Sequence, residues 1–144
     1  MDLRIITAAE TRPLRQRILR PHQRPEELVY PGEDLDDTRH FGAYVDGALV
    51  GVASIYRDPP QNSADRDAFR LRGMATAPEV RGLGYGAELL EACVQHARAR
   101  GGRYVWCNAR TTAAGFYRKL SFVQVGGEFE LPQIGPHVVM RREL

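Results

Sequence analysis

The turn Arg81-Gly82-Leu83-Gly84-Tyr85-Gly86 constrains this chain more than any other segment. It follows a β-like run, Ala68–Thr76, and opens a helix that runs to about Arg100. Leu89, Leu90, Cys93, Val94 and Ala97 give that helix an apolar stripe at 3.6-residue spacing. Gly101 supplies a left-handed stop, and residues 104–109 (Tyr-Val-Trp-Cys-Asn-Ala) resume a strand. Strand, helix, strand predicts a crossover with local parallel pairing. Three alternate glycines remove Cβ atoms, so backbone N–H groups can converge on an anion at a helix N-terminus. The helix dipole adds to that attraction, and Arg81 places a full charge beside it. A tight connection with no ligand is the plainer reading of the same spacing.

The flanking segments fill in a sheet. Residues 3–6 read as a short strand, and Thr7-Ala8-Ala9-Glu10 has capping-box form ahead of a helix to about Leu19, with Pro13 inside it. Residues 20–38 hold Pro21, Pro25, Pro31 and a run of acids, a loop long enough to be functional. Asp46-Gly47 is a hairpin signal between strands 41–45 and 48–56. A second loop, residues 57–66, leads to Ala68–Thr76. After residue 109 come a short helix, 111–120, and a closing hairpin of strands 122–130 and 137–143. The order β-α-β-β-β-α-β-α-β-β predicts an α/β fold: a mixed, largely antiparallel sheet flanked by helices, with one central parallel β-α-β crossover. At 144 residues this is one domain, long enough to bury a core without disulfide or metal staples.

Other classes fall away. Cys93 and Cys107 lack CxxC spacing and neighbouring His ligands, so no zinc or redox site is expected. No apolar run approaches a membrane span, and Met1-Asp2-Leu3-Arg4 lacks the core of a signal peptide, which points to a cytoplasmic protein. Nineteen arginines face a single lysine, Lys119, yet they are interleaved with acids to a net charge of +2, so no nucleic-acid tail is expected. Most read as ordinary surface; a few should sit where a planar, permanent charge is needed. Gly82-x-Gly84-x-x-Ala87 formally fits a dinucleotide fingerprint, but it follows three meander strands instead of opening the fold, and the next strand ends in Cys107-Asn108-Ala109-Arg110 with no ribose-binding acid.

Pro78-x-x-Arg81-Gly82-x-Gly84-x-Gly86 after a strand resembles the acyl-CoA pyrophosphate loop of the GNAT superfamily of N-acetyltransferases. Ala113-x-x-Phe116-Tyr117-x-Lys119-Leu120-x-Phe122 is similar to that superfamily's second signature, and Gly135-Pro136-His137-Val138-Val139-Met140 to the ending of one bacterial branch. The resemblance covers nearly the whole chain. It implies transfer of an acetyl group from acetyl-CoA to a primary amine in a ternary complex, with CoA as product and no metal. Under it Met74, Ala75 and Thr76 meet the pantetheine arm, while Arg81, Gly82, Leu83, Gly84, Tyr85, Gly86 and Ala87 hold the pyrophosphate. Tyr117 matches the general acid toward the departing thiolate; a phenol is neutral at pH 7 and can donate to a forming sulfur anion. The family's asparagine before that tyrosine is Arg110 here, with Asn108 on the same strand face, and either could meet the cofactor arm. Ser121 replaces the glycine usual after the short helix.

The acceptor side is less defined. Where many relatives carry a carboxylate base, the strand reads Asp67-Ala68-Phe69-Arg70-Leu71-Arg72. Arg70 and Arg72 could pair an acidic group on the substrate or balance Asp65 and Asp67. Bases could come from His40, His137, Glu128 or Glu130, and the cluster Glu33, Asp34, Asp36, Asp37 could draw in a cationic amine or be a solvated loop. The acceptor is expected to be a small-molecule or peptide amine, without nucleic-acid or membrane partners, and a homodimer through the closing hairpin fits the resemblance. The competing functional reading is an acyl-CoA-binding sensor or partner module that has lost turnover.

Overall fold

A computed structural model describes residues 2–144. Seven strands form one sheet in the order β1-β2-β3-β4-β5-β7-β6. The strands are β1 (Asp2–Ile6), β2 (Arg39–Val45), β3 (Ala48–Arg57), β4 (Ala68–Thr76), β5 (Tyr104–Arg110), β6 (Val123–Leu131) and β7 (Gly135–Glu143); the helices are α1 (Ala8–Leu19), α2 (Tyr85–Ala99) and α3 (Ala114–Lys119). Element order and type follow the sequence reading. Most boundaries move by one or two residues; α3 shortens to Ala114–Lys119 behind a 3-10 turn at Thr111–Ala113, and further 3-10 turns form at Pro25–Glu27 and Pro78–Val80.

Local chemistry accounts for the joints. The Thr7 capping box closes both ways, with the Glu10 N–H donating to Thr7 Oγ1 at 3.2 Å and the Thr7 N–H to Glu10 Oε1 at 2.9 Å. That cap carries α1 across Pro13, which stays inside the helix. Asp46 (φ 49°) and Gly47 (φ 81°) make the expected two-residue turn. Ser121 takes the left-handed position at φ 71° that glycine would fill more easily.

The two long helices cover opposite faces. A Cβ at Gly51 would point at Leu89 of α2, whereas Ser54, three residues on, meets Arg15 of α1. Leu89, Leu90, Cys93, Val94 and Ala97 are all fully buried, as the stripe predicts.

One departure from regular pairing creates the functional geometry. β4 and β5 pair in parallel only over Ala68, Phe69 and Arg70 against Tyr104, Val105 and Trp106. Beyond Trp106, β5 pairs only with β7 and β4 only with β3. The sheet splits into a V, and the facing edges of both strands lose their backbone partners. A bulge in β4 at the mouth of the V, where Gly73 sits at φ 65°, slips the register between Val52 and Ser54.

Candidate active site

Two clefts open where the sheet splits. One, of about 420 Å³, lies over the N-terminus of α2 and is lined by Thr76, Val80, Arg81, Gly82, Gly84, Tyr85, Gly86 and Ala87, with Phe116, Lys119 and Leu120 from α3. Gly82 (φ 81°) and Gly84 (φ 86°) are left-handed, and nothing stands within 4 Å of where their Cβ atoms would be. Among the described residues, no backbone carbonyl accepts from the N–H groups of Gly82, Gly84, Tyr85, Gly86 or Ala87. This is a cradle of free donors at a positive helix end, and Arg81 and the chain's single lysine, Lys119, add charge to it. Gly86 serves packing as well: its missing Cβ lets the Phe116 ring approach to 3.4 Å of that position. Leu83 stands apart, 63% exposed, with its N–H turned back to the Val80 carbonyl at 3.3 Å.

The second cleft, of about 180 Å³, occupies the V itself. Arg70, Leu71, Arg72, Gly73 and Met74 of β4 face Cys107, Asn108, Ala109 and Arg110 of β5, and Tyr117 and His137 close one side. Met74 therefore belongs to this cleft and Thr76 to the other, while Ala75 between them turns its side chain into the core. Asn108 and Arg110 both face the V, as their shared strand face requires; Arg110 also donates to the Leu19 carbonyl at 2.9 Å. Leu19, Arg20, Tyr30 and Leu131 complete the wall. The sequence pointed to residues 20–38 as a functional loop, but no periodicity singled out Arg20 or Tyr30.

Tyr117 is buried and braced edge-to-face by Phe116 (centroids 5.1 Å) and Phe122 (5.4 Å). Burial, then the neighbouring Cys107 thiol, holds its phenol well above the usual tyrosine range, so it keeps its proton at neutral pH. Burial also pushes the Cys107 thiol up to about 12. A thiol held that high carries almost no thiolate and is no nucleophile. His137 is buried beside them, with Nδ1 2.8 Å from the Gly135 carbonyl. A carbonyl only accepts, so Nδ1 donates to it, and in the neutral ring the lone pair is on Nε2.

The other acid and base candidates lie elsewhere. His40 is buried in a network with Ser54, Arg15 and the Glu33 carbonyl. Glu128 and Glu130 are exposed on β6, outside the V. The acidic cluster is dispersed into structural contacts: Glu33 is buried against Arg12, and Asp37 clamps Arg57 at 2.6 Å and Arg100 at 3.0 Å. Arg70 pairs with Asp58 at 3.2 Å instead of with Asp65 or Asp67, because Asp65 accepts from the Tyr104 hydroxyl at 2.7 Å and Asp67 lies beside Arg57.

Residues 8–122 match the family model of the acetyltransferase (GNAT) family. Over 144 residues the chain is 35% identical to the uncharacterized N-acetyltransferase YitI of Bacillus subtilis, covering all of this chain and 97% of that one. Among solved structures it superposes on Escherichia coli ElaA with a TM-score of 0.79 at 17% identity, covering 99% of both chains. It also superposes on an aminoglycoside 6'-N-acetyltransferase complexed with coenzyme A, with a TM-score of 0.75 at 14% identity over 99% of this chain and 97% of that one.

Proposed function

Because the chain belongs to the acetyltransferase (GNAT) family and is an acetyltransferase, we propose that it moves an acetyl group from acetyl-CoA directly onto a primary amine held in the V. The observation that carries this is the pairing of two adjacent clefts, one a cradle of free N–H donors and the other holding a protonated phenol. The free donors of Gly82 and Gly84–Ala87, with Arg81 and Lys119, suit a pyrophosphate, and the unpaired edge of β4 from Met74 to Thr76 suits an amide-bearing arm. A CoA complex of a protein with the same fold supports that donor.

Bound acetyl-CoA supplies a thioester carbon open to an uncharged amine and a sulfur that leaves as thiolate. The chain's own groups then have separable tasks. Met74 lies beside the β4 bulge at Gly73 and lines the V, where its backbone N–H would serve as donor to the charge that develops on the carbonyl oxygen. His137 Nε2, directly or through one water, accepts the proton the amine must lose. Tyr117 donates a hydrogen bond to the sulfur. Since its phenol lies above an ordinary thiol, the proton is shared with the departing sulfur and not released ahead of it. With Cys107 held protonated, the V offers no thiolate to carry the acetyl group, which favours a single direct transfer. A phenol and an imidazole gathered in one cleft weigh against a sensor without turnover.

Two measurements test this reading. Gly84→Val puts a branched side chain at φ 86° inside the cradle; CoA affinity is expected to fall at least about tenfold by titration calorimetry, the scale of losing one or two charge-assisted hydrogen bonds. Unchanged affinity would remove the cradle from the donor site. His137→Gln retains a hydrogen-bond donor but has no ring lone pair; kcat for thiol release is expected to drop roughly 10²-fold with the KM for acetyl-CoA unchanged. An unaltered kcat would take the base role from His137.

A further inference from the structure

The V cleft has a one-sided charge that the transfer reaction does not require. Arg20, Arg70, Arg72 and Arg110 line it, and no aspartate or glutamate does. Arg70 has a carboxylate partner, Asp58, yet its buried Nε–H has none. Among the described residues, Arg20, Arg72 and Arg110 make no ion pair with a carboxylate. They are held in place by uncharged groups. Arg20 Nη1 and Arg110 Nη2 both donate to the Leu19 carbonyl at 2.9 Å, which sets two guanidiniums side by side at the negative end of α1. Arg72 lies over the Tyr30 ring, 4.0 Å from its centroid, and reaches the Tyr56 hydroxyl at 3.4 Å. Burial, then Arg110 and Arg72, depress the Arg20 guanidinium below the ordinary arginine range, with the Tyr30 hydroxyl opposing them.

Like charges gathered in a half-buried wall repel unless an anion joins them. Each fork also retains unused N–H donors in the planar geometry that fits carboxylate and phosphate oxygens. Resting on the acyl-transfer reading above, we propose that the V selects an acceptor amine whose own skeleton carries a carboxylate or phosphate, seated on Arg72, Arg110 and Arg20. The anionic group anchors the acceptor, and the surrounding positive field disfavours the ammonium form of its amine, which must be neutral to attack. A polycationic amine is repelled by the same wall.

The test is titration calorimetry on the CoA-saturated protein with matched amines: β-alanine against propylamine, phosphoethanolamine against ethanolamine, and putrescine as the cationic member. The β-alanine and phosphoethanolamine arms distinguish carboxylate from phosphate. At least one of the two carboxylate- or phosphate-bearing amines is expected to bind roughly 10- to 100-fold more tightly than its counterpart lacking that group, with putrescine weakest. Arg72→Gln should erase most of that difference without changing the affinity for CoA, Arg110→Gln should also erase most of it, and Arg72→Lys should restore part of it. Tighter binding of putrescine, or no discrimination within either pair, overturns the proposal and leaves the acetyltransferase reading standing. Failure of the protein to bind CoA at all overturns that reading and the proposal with it.

Discussion

Replacing Tyr117 by Phe lowers kcat for acetyl-CoA-dependent thiol release by roughly 10²- to 10⁴-fold, the span of a lost general acid, and leaves CoA affinity unchanged. The ring stays because Phe116 and Phe122 pack on its faces and edges, not on its hydroxyl. Only the hydroxyl is removed, and the Cys107 thiol beside it, a weak hydrogen-bond donor, is a poor substitute. The loss should be smaller for acyl donors with more acidic thiol leaving groups, which need less help as they depart. A purely structural tyrosine would show no such dependence. Steady-state kinetics with a series of thioesters separates the two, and wild-type turnover in the Phe variant would refute the assignment.

Gly73→Ala is expected to be the most destabilising single-methyl change in the V. The residue lies at φ 65°, where an L side chain costs about 1–2 kcal/mol. Its Cβ would also stand 2.2 Å from Arg15 Nε and 2.5 Å from Arg15 Cζ. Arg15 is fully buried, donates from Nε to the Gly73 carbonyl at 3.2 Å and bonds the Ser54 hydroxyl, so moving it strands a desolvated charge. Burial already lowers that guanidinium to about 10. A loss of ~3 kcal/mol follows, or a fall in Tm of about 10 °C for a domain of this size. Calorimetric melting measures it directly. Arg15→Met in the Gly73→Ala background should recover part of the loss, because the two sites share one contact. A drop in Tm below about 2 °C would show that the bulge tolerates a side chain.

Legibility in the sequence tracked how local the governing physics is. The Thr7 capping box, the Asp46-Gly47 turn, the α2 stripe and the left-handed Gly101 after it each depend on residues a few positions apart, and each forms where expected. The family resemblance singled out Tyr117 and the glycine turn, and each lines a cleft. The acceptor wall was not. Asp58 and Arg70 meet across 12 positions, Asp37 and Arg100 across 63, and Leu19 and Arg110 across 91. No pattern along the chain shows which of several acids reaches which arginine. The same holds for His137, one of four candidate bases, which the register of β7 against β5 brings to the V.

The sequence by itself determined the element order, the parallel crossover and the glycine cradle, because periodicity, caps and positive-φ turns are properties of short stretches. The tertiary structure alone decided that β4 and β5 part after three paired residues, and therefore which side chains share the V. It also decided that the acids of residues 33–37 are spent on structural contacts or left in solvent while Arg20, Arg72 and Arg110 are left without a carboxylate. Charge balance along the chain is a sum; charge balance inside a cleft depends on Coulomb interactions over a few ångströms, and only the fold sets those distances.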